Sequence, residues 1–144
     1  MTSNAIRLFA YGSLMKGEPD HGLVVAAEFV GTARTLPAYK LVDLGPFPAL
    51  IEGGTLAIDG ELYLVDAKLR FAMDVKYQCP VLFHRAVATL EDGSTADTYA
   101  MREDQVRGKR RLLYGDWRKR FAPRPRPEPS AFVRAARDRW KPIK

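Results

Sequence analysis

Sulfur and imidazole are scarce in this chain of 144 residues: one cysteine, Cys79, and two histidines, His21 and His84. A single cysteine excludes an internal disulfide framework, and the three side chains have no metal-site spacing. No metal and no cofactor is expected. Apolar runs of about 20 residues, the length needed to cross a membrane, are missing. Residues Met1-Thr2-Ser3-Asn4-Ala5-Ile6-Arg7 lack the basic and apolar regions of a signal peptide. These absences lead to the expectation of a cytoplasmic protein with no membrane association. Regular strand–helix alternation is missing too, which argues against a doubly wound parallel sheet.

The length suits one domain with a proper core. The net charge of +6 is unevenly placed. From Arg107 to Lys144 there are 14 Lys/Arg against 3 Asp/Glu, a net of +11, whereas residues 1–106 carry 9 against 14, a net of −5. Such asymmetry fits either a solvated arginine-rich surface or an anionic partner. Nucleic acid is disfavoured, because the tail has no aromatic-interleaved RNA motif and no zinc finger.

Strand patterns fall at Ile6–Ala10, Val30–Thr35, Tyr39–Leu44 and Glu61–Val65, and Ala49–Ile51 is a short apolar run. Phe83–Leu90 and Thr95–Met101 flank the turn Glu91-Asp92-Gly93-Ser94 and read as a hairpin. Leu23, Val24, Ala27 and Phe29 have spacings suited to a short helix. Asp66 caps a predicted helix over Ala67–Tyr77. Pro123–Pro129 is extended, and Ser130 caps a final amphipathic segment with Phe132, Val133, Ala136 and Trp140 on one face. That face suits docking on the body or on a second copy, hence a homodimer. The expected fold is α+β: a small mixed β-barrel flanked by helices over residues 1–120, then a Pro/Arg-rich extension with a short helix over 121–144.

The densest chemical signal is Leu8-Phe9-Ala10-Tyr11-Gly12-Ser13-Leu14-Met15-Lys16-Gly17. A buried strand runs into a sharp turn at Gly12, which permits φ > 0 or close approach of a ligand to the main chain. Successive N–H groups there form a concavity suited to a carboxylate; a plain turn with no ligand is the other reading.

Tyr11-Gly12-Ser13-Leu14 followed by Gly17 resembles the opening signature of the gamma-glutamylcyclotransferase-like (AIG2-like) family. The segments Asp43–Leu50, Gly60–Val65, Cys79–Arg85, Tyr99–Met101 and Gly115–Arg118 resemble later family segments in order, over roughly residues 6–120. The resemblance implies that Tyr11, Gly12, Ser13 and Leu14 hold the α-carboxylate and α-amine of a gamma-glutamyl group, largely through backbone groups. Phe47 and Tyr99 are implied as pocket residues. The implied reaction is intramolecular aminolysis: the substrate's α-amine attacks its own γ-amide carbonyl, releasing 5-oxoproline and a free amine. The implied partner is a gamma-glutamyl amine or an amino-acid-like ligand.

The family's proton-transferring group is a glutamate in a Leu-Asp-x-x-Glu-Gly pattern. Here the matching run is Met73-Asp74-Val75-Lys76-Tyr77-Gln78, with Tyr77 at the glutamate position and Gln78 at the glycine position. A phenol titrates near pH 10 and a glutamate near about 4.3, so tyrosine is no equivalent base. Three readings stay open: an enzyme with altered proton handling through Tyr77 and another carboxylate (Asp74, one turn earlier, or Glu61 or Glu18); a binding module that holds a small ligand without turnover; and a nucleic-acid or structural protein that uses the basic tail.

Overall fold

The structure, a computed structural model, describes residues 5–121. The extension expected at 121–144, with its Ser130-capped segment, lies outside the described residues after Phe121. Eight strands form one mixed sheet: β1 (Ile6–Tyr11), β2 (Glu28–Arg34), β3 (Tyr39–Asp43), β4 (Pro48–Glu52), β5 (Asp59–Val65), β6 (His84–Thr89), β7 (Thr95–Ala100) and β8 (Arg110–Arg111). One α-helix, α1 (Ala67–Lys76), lies between β5 and β6, and is the only α-helix among the described residues. The order is β2-β5-β1-β7-β4-β3-β8, with β6 on the other edge of β7. The α+β class and the mixed sheet are as expected. The sheet itself is open, so "barrel" describes it only loosely; two isolated antiparallel bridges, Thr35 to Leu90 and Tyr39 to Leu56, lie outside the ladders.

Strand β1 is central, antiparallel to β5 and parallel to β7. A strand covered on both faces reads as an unbroken apolar run, and period-two alternation divides it. Leu8 and Ala10 enter one core with Val42, Ile51, Tyr63, Met73 and Tyr77. Phe9 and Tyr11 enter a second core with Leu41, Leu50, Leu62, Leu90 and Trp117. Strand β7 offers one edge to two strands in succession: Asp97 pairs with Leu8 of β1, and Ala100 with Leu50 of β4.

The helix expected around Leu23–Phe29 is not there. His21–Leu23 is a 3-10 turn, and the chain enters β2 at Glu28 to pair with β5. The apolar spacing was ambiguous, and pairing six residues of β2 with β5 outweighs a short helix with little to bury. Helix α1 begins as expected, with the Asp66 side chain accepting from Leu69 N–H at 2.8 Å. Leu69, Met73 and Tyr77 follow at i, i+4 and i+8, which turns Tyr77 toward the first core. The helix ends in a Schellman motif: Cys79 N–H donates to Asp74 O at 2.9 Å and Gln78 N–H to Val75 O at 3.1 Å. Gln78 occupies the left-handed position at φ 51°, where glycine is usual.

Candidate functional site

The Tyr11–Leu14 loop is fixed first by sterics. Gly12 has φ +67°, and a Cβ there would lie 2.3 Å from Pro48 Cγ. Glycine is needed both for the backbone conformation and for the close approach of the Pro48 ring. Gly12–Leu14 forms a 3-10 turn closed by Met15 N–H to Gly12 O at 3.1 Å. Ser13 O accepts from Asp20 N–H at 2.9 Å, and Leu14 O lies 2.9 Å from His21 Nδ1. Lys16 N–H donates to Glu61 Oε1 at 2.9 Å, and Tyr63 O–H donates to the same oxygen at 3.0 Å. The carbonyls of the turn are thus engaged. Its first N–H groups have no carbonyl within the turn to bond, and no side chain caps them.

Tyr11 has a role that its place in the motif did not reveal. Its hydroxyl donates to Tyr99 O at 2.7 Å and accepts from Leu50 N–H at 2.9 Å. The phenol therefore sits where β7 passes from β1 to β4 and satisfies backbone groups of both neighbours. Burial raises its pKa well above the ordinary value. The hydroxyl is thus committed to the sheet.

A small cleft is lined by Tyr11, Ser13, Leu14, Phe47, Pro48, Tyr77 and Phe83. Tyr77 is thus brought to the loop predicted from sequence, and so is Phe47. Pro48 and Phe83 join them; both lie inside family-like segments but carry no polar group to mark them in advance. The cleft holds about 10 Å³, room for roughly one water. Tyr77 fills much of the space, its ring 5.1 Å from Phe83 and 4.8 Å from Tyr99. Tyr99 stands behind Tyr77 instead of lining the cleft.

The Tyr77 hydroxyl makes no hydrogen bond to another described residue. Burial, and then the neighbouring Tyr11 and Asp20, push its pKa well above the ordinary phenol value. At neutral pH it is a protonated donor, the opposite of a base. Asp20, which sequence reasoning did not single out, lies 3.6 Å from Lys76 Nζ and carries the N–H bonded to Ser13.

The other candidate carboxylates are committed elsewhere. Asp74 accepts from Arg85 Nε at 3.2 and 3.1 Å and also from Arg85 Nη2. It accepts from Tyr99 O–H at 2.7 Å, and Arg70 Nε stands 3.7 Å away. The Arg85 bonds hold its carboxyl below the usual carboxylate range, with Tyr99 assisting. Glu61 braces the loop, and Glu18 pairs with Arg120 at 3.0 Å. No Asp or Glu is among the residues lining the cleft. Cys79 is half-buried, and burial pushes its thiol up, away from reactivity. Among the described residues no group of three His, Cys, Asp or Glu is placed to hold a metal, and no helix is long and apolar enough to cross a membrane.

An α+β chain whose central strand ends in a braced glycine turn, beside the C-terminal end of its one described helix, belongs to a narrow class of small mixed-sheet proteins. The family model described as "Gamma-glutamyl cyclotransferase, AIG2-like" matches residues 8–119. A Vibrio cholerae protein named "Putative gamma-glutamylcyclotransferase" is 34% identical over 110 residues, covering 76% of this chain and 93% of that protein. Human gamma-glutamylaminecyclotransferase is 32% identical over 93 residues, covering 58% of this chain and 61% of the human protein. The crystal structure of a uropathogenic E. coli-specific protein superimposes with a TM-score of 0.68 at 26% identity, over 83% of this chain and 95% of that one. The chain belongs to the gamma-glutamyl cyclotransferase, AIG2-like family.

Proposed function

We propose that this chain acts on a gamma-glutamyl amine, or a related amide, by intramolecular aminolysis, with Tyr77 as a hydrogen-bond donor in the place of the family's glutamate. The observation that carries the reading is the Tyr77 hydroxyl, held protonated by burial, without a partner, beside the Tyr11–Leu14 turn. A phenol so placed suits a carbonyl or tetrahedral oxygen of a bound acyl group. The uncapped N–H groups of the turn suit the α-carboxylate. The bond forms between the substrate's α-nitrogen and its γ-carbon, and the bond from that carbon to the departing amine breaks. Binding the substrate in its cyclising conformation supplies much of the acceleration. The departing amine takes up the proton that the attacking nitrogen gives up.

This assignment leaves the α-amine without a carboxylate to deprotonate it. The neutral amine is then selected from solution, and the neighbouring α-carboxylate holds this ammonium's pKa above the value of about 8 of a peptide N-terminus. The test is release of 5-oxoproline from a panel of gamma-glutamyl amines between pH 6 and pH 9. The expected rate climbs about tenfold per pH unit from pH 6 to about pH 7.5 and is still rising at about pH 8. A rate that is flat from pH 6 to pH 7.5 points to a protein base and overturns the assignment. Tyr77→Phe should lower the rate at every pH.

A second reading is favoured by the lining of the cleft. With no Asp or Glu among its lining residues, the pocket suits a member that binds a small amino acid or acyl ligand without turnover. It predicts a rise in melting temperature with glutamate or 5-oxoproline, and no lactam from any substrate of the panel.

A further inference from the structure

A second cavity lies away from the Tyr77 cleft, along the edge formed by β3 and β8. It measures about 150 Å³ and is lined by Lys40, Val42, Ile51, Glu103, Val106, Arg107, Gly108, Lys109 and Arg111. Its floor is core: Val42, Ile51 and Val106 are buried. Its rim is cationic. Lys40 Nζ is spent on Glu103 Oε1 at 2.5 Å. Arg107, Lys109 and Arg111 make no ion pair with any acid among the described residues.

Glu103 feels Arg111 and Arg107 as well as Lys40, but it is one carboxylate among four lining cations. Arg110 is turned to Asp43 at 3.9 Å and to Arg120 O at 3.0 Å, and Arg102 pairs with Asp104 at 3.1 Å. Gly108, at φ +77°, reverses the chain so that Lys109 N–H bonds Val106 O at 3.1 Å. That turn gathers residues 107, 109 and 111 around one cavity. Three like charges over an apolar floor repel one another and focus a positive potential into the cavity. Among the described lining residues Glu103 offsets that repulsion only in part, and an anion would offset the rest.

We propose that this cavity is a binding site for the phosphate group of a small phosphate monoester, seated between Arg107, Lys109 and Arg111. The volume takes a phosphate with a short attached group and excludes a whole nucleoside diphosphate. Arginine forks suit two phosphate oxygens each, and the lysine adds a point charge. Glu103, already neutralised by Lys40, sets the wall that the anion does not approach. The site is independent of the cyclotransferase reading, because its test reads binding and not turnover.

The test is a titration of the full chain, at low ionic strength, with inorganic phosphate and separately with phenyl phosphate, followed by amide chemical shifts. Saturable shifts confined to residues 40–42, 51 and 103–111 are expected, with half-saturation on the order of 1 mM or tighter. Arg107→Gln and Arg111→Gln should each weaken binding about tenfold, with melting temperature unchanged. Tighter binding of phenyl phosphate than of phosphate marks a monoester as the natural source; equal binding marks free phosphate. Shifts that do not saturate, or that sodium chloride reproduces at equal ionic strength, overturn the proposal. So does single-stranded RNA that binds more tightly with a footprint reaching beyond the cavity.

Discussion

Replacing Tyr77 by phenylalanine removes one oxygen and leaves the ring, so the contacts at 5.1 Å to Phe83 and 4.8 Å to Tyr99 persist. What goes is a hydroxyl on a buried ring, bonded to no described residue, whose oxygen keeps only limited contact with solvent. Desolvating such a group without a partner costs about 1–3 kcal/mol. A single water in a cleft of about 10 Å³ can return part of that. The expected result is a gain of about 1 kcal/mol for Tyr77→Phe, a rise of roughly 4 °C in melting temperature for a domain of this size. Urea unfolding followed by circular dichroism measures it, with an unchanged m-value showing that only stability moved. Repeating the measurement with saturating 5-oxoproline should reverse the order, because the wild-type hydroxyl then has an acceptor. A loss of about 1 kcal/mol in the ligand-free protein would mean that the hydroxyl is already satisfied in the folded chain, and the donor role would fall with it.

Two further outcomes concern the end of α1. Asp74→Asn should cost about 1–3 kcal/mol at neutral pH, since it weakens the Arg85 and Tyr99 bonds together. Because Arg85 and Tyr99 hold the folded carboxyl below the ordinary aspartate value of about 3.9, that contribution is complete above about pH 4 and is lost as pH falls through the lower folded value. Unfolding of both proteins from pH 7 to pH 2.5 checks this: a difference that closes already near pH 6 contradicts it. Gln78→Gly should stabilise by about 1 kcal/mol by relieving the left-handed backbone at φ 51°; a destabilised variant would show that the glutamine side chain makes up for its own strain.

The helix α1 and most strands were legible because they announce themselves locally. Asp66 caps, apolar residues repeat at the right period, and Glu91-Asp92-Gly93-Ser94 turns a hairpin. The body of strand β2 was legible at Val30–Thr35, but its start was not, because Leu23, Val24 and Ala27 carry a helical spacing while the partner that draws Glu28 and Phe29 into the ladder, β5, lies some thirty residues on. The site divided in the same way. Gly12 and Tyr77 could be placed by motif, and the family assignment they supported is borne out by the match over residues 8–119. The use of Tyr11 could not be seen, since its hydroxyl reaches Tyr99 and Leu50, 88 and 39 residues away. Glu61 looked like a spare carboxylate in sequence, and only the fold shows that the Lys16 N–H and the Tyr63 hydroxyl engage it.

The phenol of Tyr11, bridging β7 and β4 at the end of β1, has a consequence for how this pocket can change. The turn that follows it is anchored from the sheet side, through Leu50, Tyr99 and Pro48, and owes nothing to the side chain at position 77. On the function proposed above, holding and reacting fall to separate parts of the molecule. A turn secured from the sheet tolerates exchange of the residue at position 77 without losing its shape.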